Sequence, residues 1–261
     1  MHGMEPVPLD LPPEAPLHCA HCARELPATA RFCNGCGRVV PQNMPAPYVD
    51  EGFMRRQRDL IAVFAVVVLY ILGAYLMRGE RSWQRSLGWD AGLFVIVLAA
   101  SIYFRKVLLP ALALGTFSVR RLIGYLAVQG VLTAFVLLTV CWVRDSVGES
   151  SSSWAVYVGA PWPTVVALLS MAVAPAVSEE LAFRGILFGQ LRTLTSATST
   201  VLVTSFLFAL VHFSFLSLFW LVPAGLYYGW VRYREGVIWY GVACHFAHNS
   251  MVVLGEARGW W

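Results

Sequence analysis

From Leu60 onward the chain is a series of long apolar stretches separated by short polar breaks. Residues 60–77 are almost unbroken in apolar side chains. That length just spans the ~30 Å hydrocarbon core of a bilayer, which needs about 20 helical residues. A second stretch runs from about 87 to 104 and a third from 122 to 143. Between them, residues 107–117 are short and contain Pro110, so they read either as an interfacial helix or as the end of a kinked one. Residues 144–162 read as a loop, with Arg144, Asp145, Glu149, four consecutive serines and Pro161. The next stretch, 164–191, is interrupted only by Ser178, Glu179, Glu180 and Arg184. Residues 198–231 fit two short spans with a break near 214–217, and the last span is 236–254. The pattern predicts an all-α polytopic transmembrane helical bundle of about seven spans, with six or eight inside the error of boundary reading.

Composition agrees. The chain is 58% hydrophobic and 13% charged, against roughly 45–50% and about a quarter in soluble domains, so an integral membrane protein is expected. The net charge of +4 is carried by arginine, with Lys106 the only lysine. It is spread over short loops, where it controls topology; a nucleic-acid binder would cluster it on one face. With the N-terminus inside, Arg55, Arg56, Arg58, Arg105, Lys106, Arg120, Arg121, Arg192, Arg232 and Arg234 face the cytoplasm. Arg78, Arg81, Arg85, Arg144 and Arg258 then lie outside. The bias toward Arg and Ala suggests a GC-rich bacterium, hence the inner membrane.

Residues 1–50 hold nine of the fourteen prolines and form a separate unit. We read 1–17 as a disordered tail without the apolar core of a signal peptide. We read 18–40 as a metal module, 41–58 as a Pro-rich and basic linker, and 59–261 as the membrane domain. Cys19-x-x-Cys22 and Cys33-x-x-Cys36 are two knuckles able to wrap one tetrahedral zinc. The pattern resembles small zinc ribbons. Gly37 suits the tight turn after the second knuckle, whereas Ala23 stands where the first often has glycine. Four thiolates close the coordination shell, so this Zn2+ is expected to be structural, supplying folding energy that so small a core lacks. A redox dithiol pair is the alternative. His18 and His21 are spare donors, and Cys141 and Cys244 read as packing residues. A closed site suggests that the ribbon meets a partner protein or regulates access.

Ionisable groups inside a span cost at least about 2.5–3.5 kcal/mol each and are functional candidates by default. This chain places Glu179, Glu180, Arg184, His212, His245 and His248 in or beside apolar stretches. Glu180 and Arg184 are four apart and pair on one helix face, which favours a structural brace. Glu179, about 100° away, has no obvious local partner, the circumstance in which a carboxyl is tuned for acid–base work near neutrality. Pro175, four residues earlier, removes a helical hydrogen bond; it either admits water toward Glu179 or is a structural kink. His245 and Asn249 share a face of the last span, with His248 on a neighbouring face. Gly225 and Gly229 read as close helix packing.

Two chemistries fit. In one, Glu179 and His212 activate a water for attack on a peptide carbonyl while His245 and Asn249 stabilise the oxyanion. In the other, His212, His245 and a glutamate hold a catalytic divalent metal. No HExxH helix is present, which favours the first.

The stretches SEELAFRG (178–185), FALVH (208–212) and HFAHN (245–249) resemble the three motifs of the CPBP family, also called Abi or CAAX-protease-like, over about residues 164–254. The resemblance implies an all-helical intramembrane endopeptidase acting on a membrane-associated protein or peptide, with Glu179 as general base, His212 assisting, His245 and Asn249 at the oxyanion, and Glu180 and Arg184 in support. The ribbon is an addition outside the family core. A non-enzymatic scaffold, an immunity factor or a transporter with a vestigial site is the competing reading, and substitution of Glu179 separates them.

Overall fold

The computed structural model describes residues 17–27, 30, 32–38, 40, 51–77, 82–115, 117–147 and 152–260. The expected tail, apart from Leu17, and residues 41–50 of the expected linker lie outside the described residues. After a two-residue hairpin of β1 (Leu17–His18) and β2 (Glu25–Leu26), the remaining elements are helical. They are α1 (Glu51–Leu76), α2 (Trp83–Tyr103), α3 (Arg105–Leu108), α4 (Val119–Val147), α5 (Pro163–Leu191), α6 (Ala197–Leu210), α7 (Leu218–Glu235) and α8 (Trp239–Ala257). Residues 51–58, read from sequence as linker, are the first turns of α1. The segment after α3 tightens into a 3-10 turn, Leu109–Leu112, containing Pro110.

Among the described residues, four helices are long and apolar enough to cross a membrane: α1 over Met54–Leu76, α2, α4 over Val119–Val143, and α5. The other three expected spans are helices, but of a different kind. With 14 residues, α6 extends only about 21 Å. α7 contains Pro223 and ends in Arg232, Arg234 and Glu235, and α8 carries His245, His248 and Asn249. Of the polar groups that weaken these helices as membrane spans, the bundle buries Glu235 and His245 and leaves Arg234 exposed. Conversely, Ile61, Leu69, Val95, Ile102, Val131 and Leu138 are each 60–72% exposed. Such a belt is incompatible with water and suits acyl chains.

Caps match the sequence locally. Ser82 and Ser196 accept from the backbone N–H of Arg85 and Ser199. Gly236, at φ 75°, closes α7 in the left-handed conformation. Two of the packed clusters among the described residues flank the site. One joins Leu60, Val97, Phe104, Phe183, Ile186 and Phe208 from α1, α2, α5 and α6. The other joins Tyr125, Tyr228, Val231, Tyr240 and Cys244 from α4, α7 and α8.

One end of the bundle collects the basic loops. Asp59 accepts from Tyr103, and Glu235 takes Arg121 and Tyr125. The Ile238 N–H and the Trp239 indole donate to the carbonyls of Ala111 and Leu112 at 3.0 Å each. At the opposite end Glu256 accepts from Ser152 and from the Trp154 backbone.

The hairpin of α6 and α7 depends on Gly225. A β-carbon there would stand 3.0 Å from the Cα of Ser205 and 3.1 Å from its carbonyl oxygen. We expect Gly225→Ala to cost about 1–3 kcal/mol through overpacking, measured by denaturant unfolding of the purified protein. Gly124→Ala, which meets nothing within 4 Å, should leave stability unchanged or slightly higher. Equal effects from the two would refute this packing account.

Candidate active site and metal centre

The two glutamates lie on α5, which is not a uniform α-helix. Residues Leu169–Val173 and Glu180–Leu187 are π-helical. The first widened turn closes with the Ala174 N–H donating to the Leu169 carbonyl, five residues back. It directly precedes Pro175, which has no N–H to continue the α ladder. The second widening spans Glu180 and Arg184 themselves. π-Turns concentrate at functional sites because they re-aim side chains that an α-helix would fix.

Arg184 and Glu180 form an ion pair at 3.0 Å, and both side chains are wholly buried. The guanidinium lies 4.3 Å from the Phe208 ring centroid and 5.3 Å from that of Tyr228. It therefore sits between the two packed clusters, and it donates to the Gly225 carbonyl at 3.3 Å. Two aromatic faces and two acceptors compensate much of the desolvation of a buried cation. The same Glu180 oxygen lies 3.3 Å from His245 Nδ1. Its other oxygen faces Gly241, where a β-carbon would come within 2.8 Å. Tyr228 stacks on the His245 ring at 5.4 Å and 19°.

With Nδ1–H held by Glu180, His245 turns Nε2 toward Glu179 Oε2, 3.9 Å away. That is too long for a direct hydrogen bond. Two atoms at that separation can both reach one water at about 2.8 Å. Glu179 Oε2 has no hydrogen-bond partner among the described residues, and its side chain keeps 19% exposure. The sequence-level contrast between a paired Glu180 and an unpaired Glu179 appears directly in this geometry.

His212 lies just beyond the last residue of α6, in the turn to α7 rather than within a span. Its Nδ1 is 2.8 Å from the Phe208 carbonyl, so Nδ1 donates and Nε2 keeps its lone pair. Phe208 contacts both imidazoles, with centroids 5.2 Å from His212 and 5.9 Å from His245. Asn249 is partly buried, one turn beyond His245 on the same face of α8. His248 points away to α4, where Nδ1 is 2.9 Å from Thr133 Oγ1 and Gln129 donates to the same oxygen.

Several contributing residues were not singled out from sequence. Asp90 on α2 bonds to Ser170 in the first π-turn, and Ser170 bonds to Tyr157 at 2.7 Å. A lone carboxylate in an apolar span is itself a signal, and it was available at Asp90. Gly241 and Tyr228 gave none, because a glycine and an aromatic in an apolar helix read as packing.

The cysteines form the second centre. All four are free thiols, and their sulfur atoms lie within 4.8 Å of one another. The Cys22–Cys33 and Cys19–Cys36 separations are 3.4 and 3.6 Å, close to the ~3.8 Å edge of a tetrahedron with metal–sulfur bonds of about 2.3 Å. The cluster is thus able to hold a metal ion. The two knuckles repeat one geometry: Ala23 and Gly37 donate to the carbonyls of Cys19 and Cys33, and both take positive φ, 56° and 76°. Ala23 pays the left-handed cost that glycine avoids. Backbone N–H groups of Cys22 and His21 draw the Cys19 thiol down to about 6. Among the described residues this is the one set of three or more His, Cys, Asp or Glu donors close enough to share an ion. Glu179, His212 and His245 do not converge to that degree.

Residues 161–251 match the family model described as type II CAAX prenyl endopeptidase Rce1-like. The match covers all three motif stretches. No curated protein and no solved structure matches the chain.

The network predicts opposite stability effects for neighbouring residues. Glu180→Gln leaves Arg184 buried without its counter-charge and should cost about 3–5 kcal/mol. Glu179→Gln removes no hydrogen bond and should change stability by less than about 0.5 kcal/mol. Unfolding midpoints of the two variants in one detergent test this; similar losses would contradict the assigned pairing.

Proposed function

With residues 161–251 an Rce1-like domain of the CPBP family as the premise, we propose that the protein is an intramembrane endopeptidase hydrolysing a peptide bond in a membrane-associated protein or peptide, in the manner of CAAX processing. The observation that carries this reading is the unpartnered Glu179 oxygen 3.9 Å from His245 Nε2, beside a buried Glu180–Arg184 ion pair that holds His245 through Glu180 Oε1.

Glu179 takes a proton from a water as the water oxygen attacks the scissile carbonyl, and that proton passes to the departing amine. His212 assists through its free Nε2 lone pair, since Nδ1 is committed to Phe208. His245 is oriented by Glu180; with a proton on Nε2 as well, it donates to the developing oxyanion, and Asn249 supplies a second donor. Glu180 and Arg184 touch no reacting atom in this scheme and act by holding His245 in place.

The divergent geometry of Glu179, His212 and His245 supports the metal-free chemistry. The cysteine cluster fits Zn2+ as a closed structural site. The end carrying ten basic residues is the cytoplasmic one, with the ribbon on that side, where thiols stay reduced.

The test is cleavage of a fluorogenic farnesylated CAAX peptide by purified protein in liposomes. Glu179→Gln should lower kcat by about 10²–10⁴-fold with folding intact, and Asn249→Ala by about 10²–10³-fold. A Glu179→Gln variant with undiminished turnover would remove Glu179 as the base, and a variant without turnover that retains its cellular phenotype would turn the reading toward a scaffold. Metal analysis should find one zinc equivalent, lost in a Cys19→Ser/Cys36→Ser variant. An equivalent that survives those changes and disappears with His245→Ala would instead support a catalytic metal.

A further inference from the structure

The ribbon is joined to the bundle by contacts that involve its metal knuckle. Arg192, at the end of α5 and 8% exposed, donates to the Cys33 carbonyl at 2.9 Å and to the Thr195 carbonyl at 3.0 Å. Tyr233, near the end of α7, donates its hydroxyl to the Gly35 carbonyl at 3.2 Å. Its ring lies against the Arg192 guanidinium, 5.9 Å from the centroid. Gly37 approaches the first residue of α6 so closely that a β-carbon there would sit 3.3 Å from the Ala197 methyl. Both accepting carbonyls belong to the 33–36 knuckle, whose backbone is shaped by N–H bonds from Gly35 and Cys36 to the Cys33 sulfur.

From these contacts a continuous chain of bonds runs to the charge network. Arg232, the neighbour of Tyr233, donates Nε–H to the Arg184 carbonyl at 2.9 Å and lies over the Phe188 ring at 5.2 Å. Arg184 holds Glu180, and Glu180 holds His245. The Arg184 carbonyl lies in the second π-turn. That stretch departs from regular α-helix, so a bond from outside the helix matters more to its shape than it would in a straight helix.

We propose that the ribbon is a metal-dependent brace for the active-site helix: ion binding fixes the 33–36 knuckle, the knuckle fixes Arg192 and Tyr233, and these hold the ends of α5 and α7 that support Arg184. The four sulfur atoms are the ion's ligands. Without it, four thiols 3.4–4.8 Å apart and so small a core do not hold the knuckle in one conformation. The Cys33 and Gly35 carbonyls then lose their fixed positions. This inference does not depend on hydrolysis, because it concerns order at 184–196 and 229–236, which is measurable without a substrate.

The experiment is amide hydrogen exchange on the full chain in nanodiscs, with one equivalent of Zn2+ and after removal of the ion by a high-affinity chelator. Chelation should speed exchange at 188–196 and 230–236 by at least about tenfold and leave 95–102 and 126–138 unchanged. Arg192→Ala should still bind one equivalent, read as the thiolate absorption of the Co2+-substituted protein. Its 188–196 and 230–236 amides should already exchange fast and ignore the chelator. Tyr233→Phe should show a smaller version of the same effect. The proposal is overturned if wild-type exchange at these segments is unaffected once the ion is shown to be gone. It also fails if Arg192→Ala keeps metal-dependent protection, or if chelation loosens α2 and α4 equally.

Discussion

A guanidinium with no access to water has to be neutralised where it sits, and the structure is organised around that requirement at Arg184. It draws a carboxylate from its own helix, a carbonyl from α7, and aromatic faces from α6 and α7. Each partner comes from an element that would otherwise need another reason to stand close. A broken buried pair is far more costly than an exposed one, so Glu180 keeps the guanidinium in place, and its contacts with Phe208, Gly225 and Tyr228 tie α5 to α6 and α7. Glu180 carries the constraint on to α8 through His245.

The consequence for chemistry is a division of labour between adjacent residues. Glu180 is wholly buried and commits Oε1 to Arg184 and His245, so it is rigid. Glu179 makes no hydrogen bond and retains some exposure, so it is able to meet a water or substrate. The histidines divide in the same way. Each has Nδ1 committed, His212 to a backbone carbonyl and His245 to a carboxylate, and each offers Nε2 outward. Which atom is left over is decided by what holds the other one.

Much of this was legible in the sequence because it depends on local spacing. The i,i+4 relation of Glu180 and Arg184 implied their pairing and so isolated Glu179; the four-residue step from His245 to Asn249 put them on one face; the CxxC knuckles implied a shared ion. Helix positions followed from apolar runs, because lipid tolerates little else. What was not legible depends on contacts distant in sequence or on departures from helical regularity. The difference in kind between the spans was not legible: α6, α7 and α8 are shorter or more polar than the other four, because they carry the groups that meet inside the bundle. The first widening of α5 had a cue in Pro175; the second, at 180–187, had none. Asp90 was hidden by the strength of the apolar signal around it. The docking of the ribbon on Arg192 and Tyr233 joins positions some 159 and 198 residues apart, and no pattern within either segment announces it.

An i→i+5 bond encloses one residue more than an α-helical turn does, so α5 carries slack in its register at two places, just before and just after Glu179. Elsewhere along the helix, adding or losing a residue would rotate everything beyond it by about 100° and separate Glu180 from His245. At 169–173 the helix has room to absorb such a change by tightening or widening a turn, whereas the turn at 180–187 carries the Glu180–Arg184 pair, whose four-residue spacing a change between them would break. Length variation along this helix should therefore be survivable at the first turn, with Ala174–Arg184 inherited as a block.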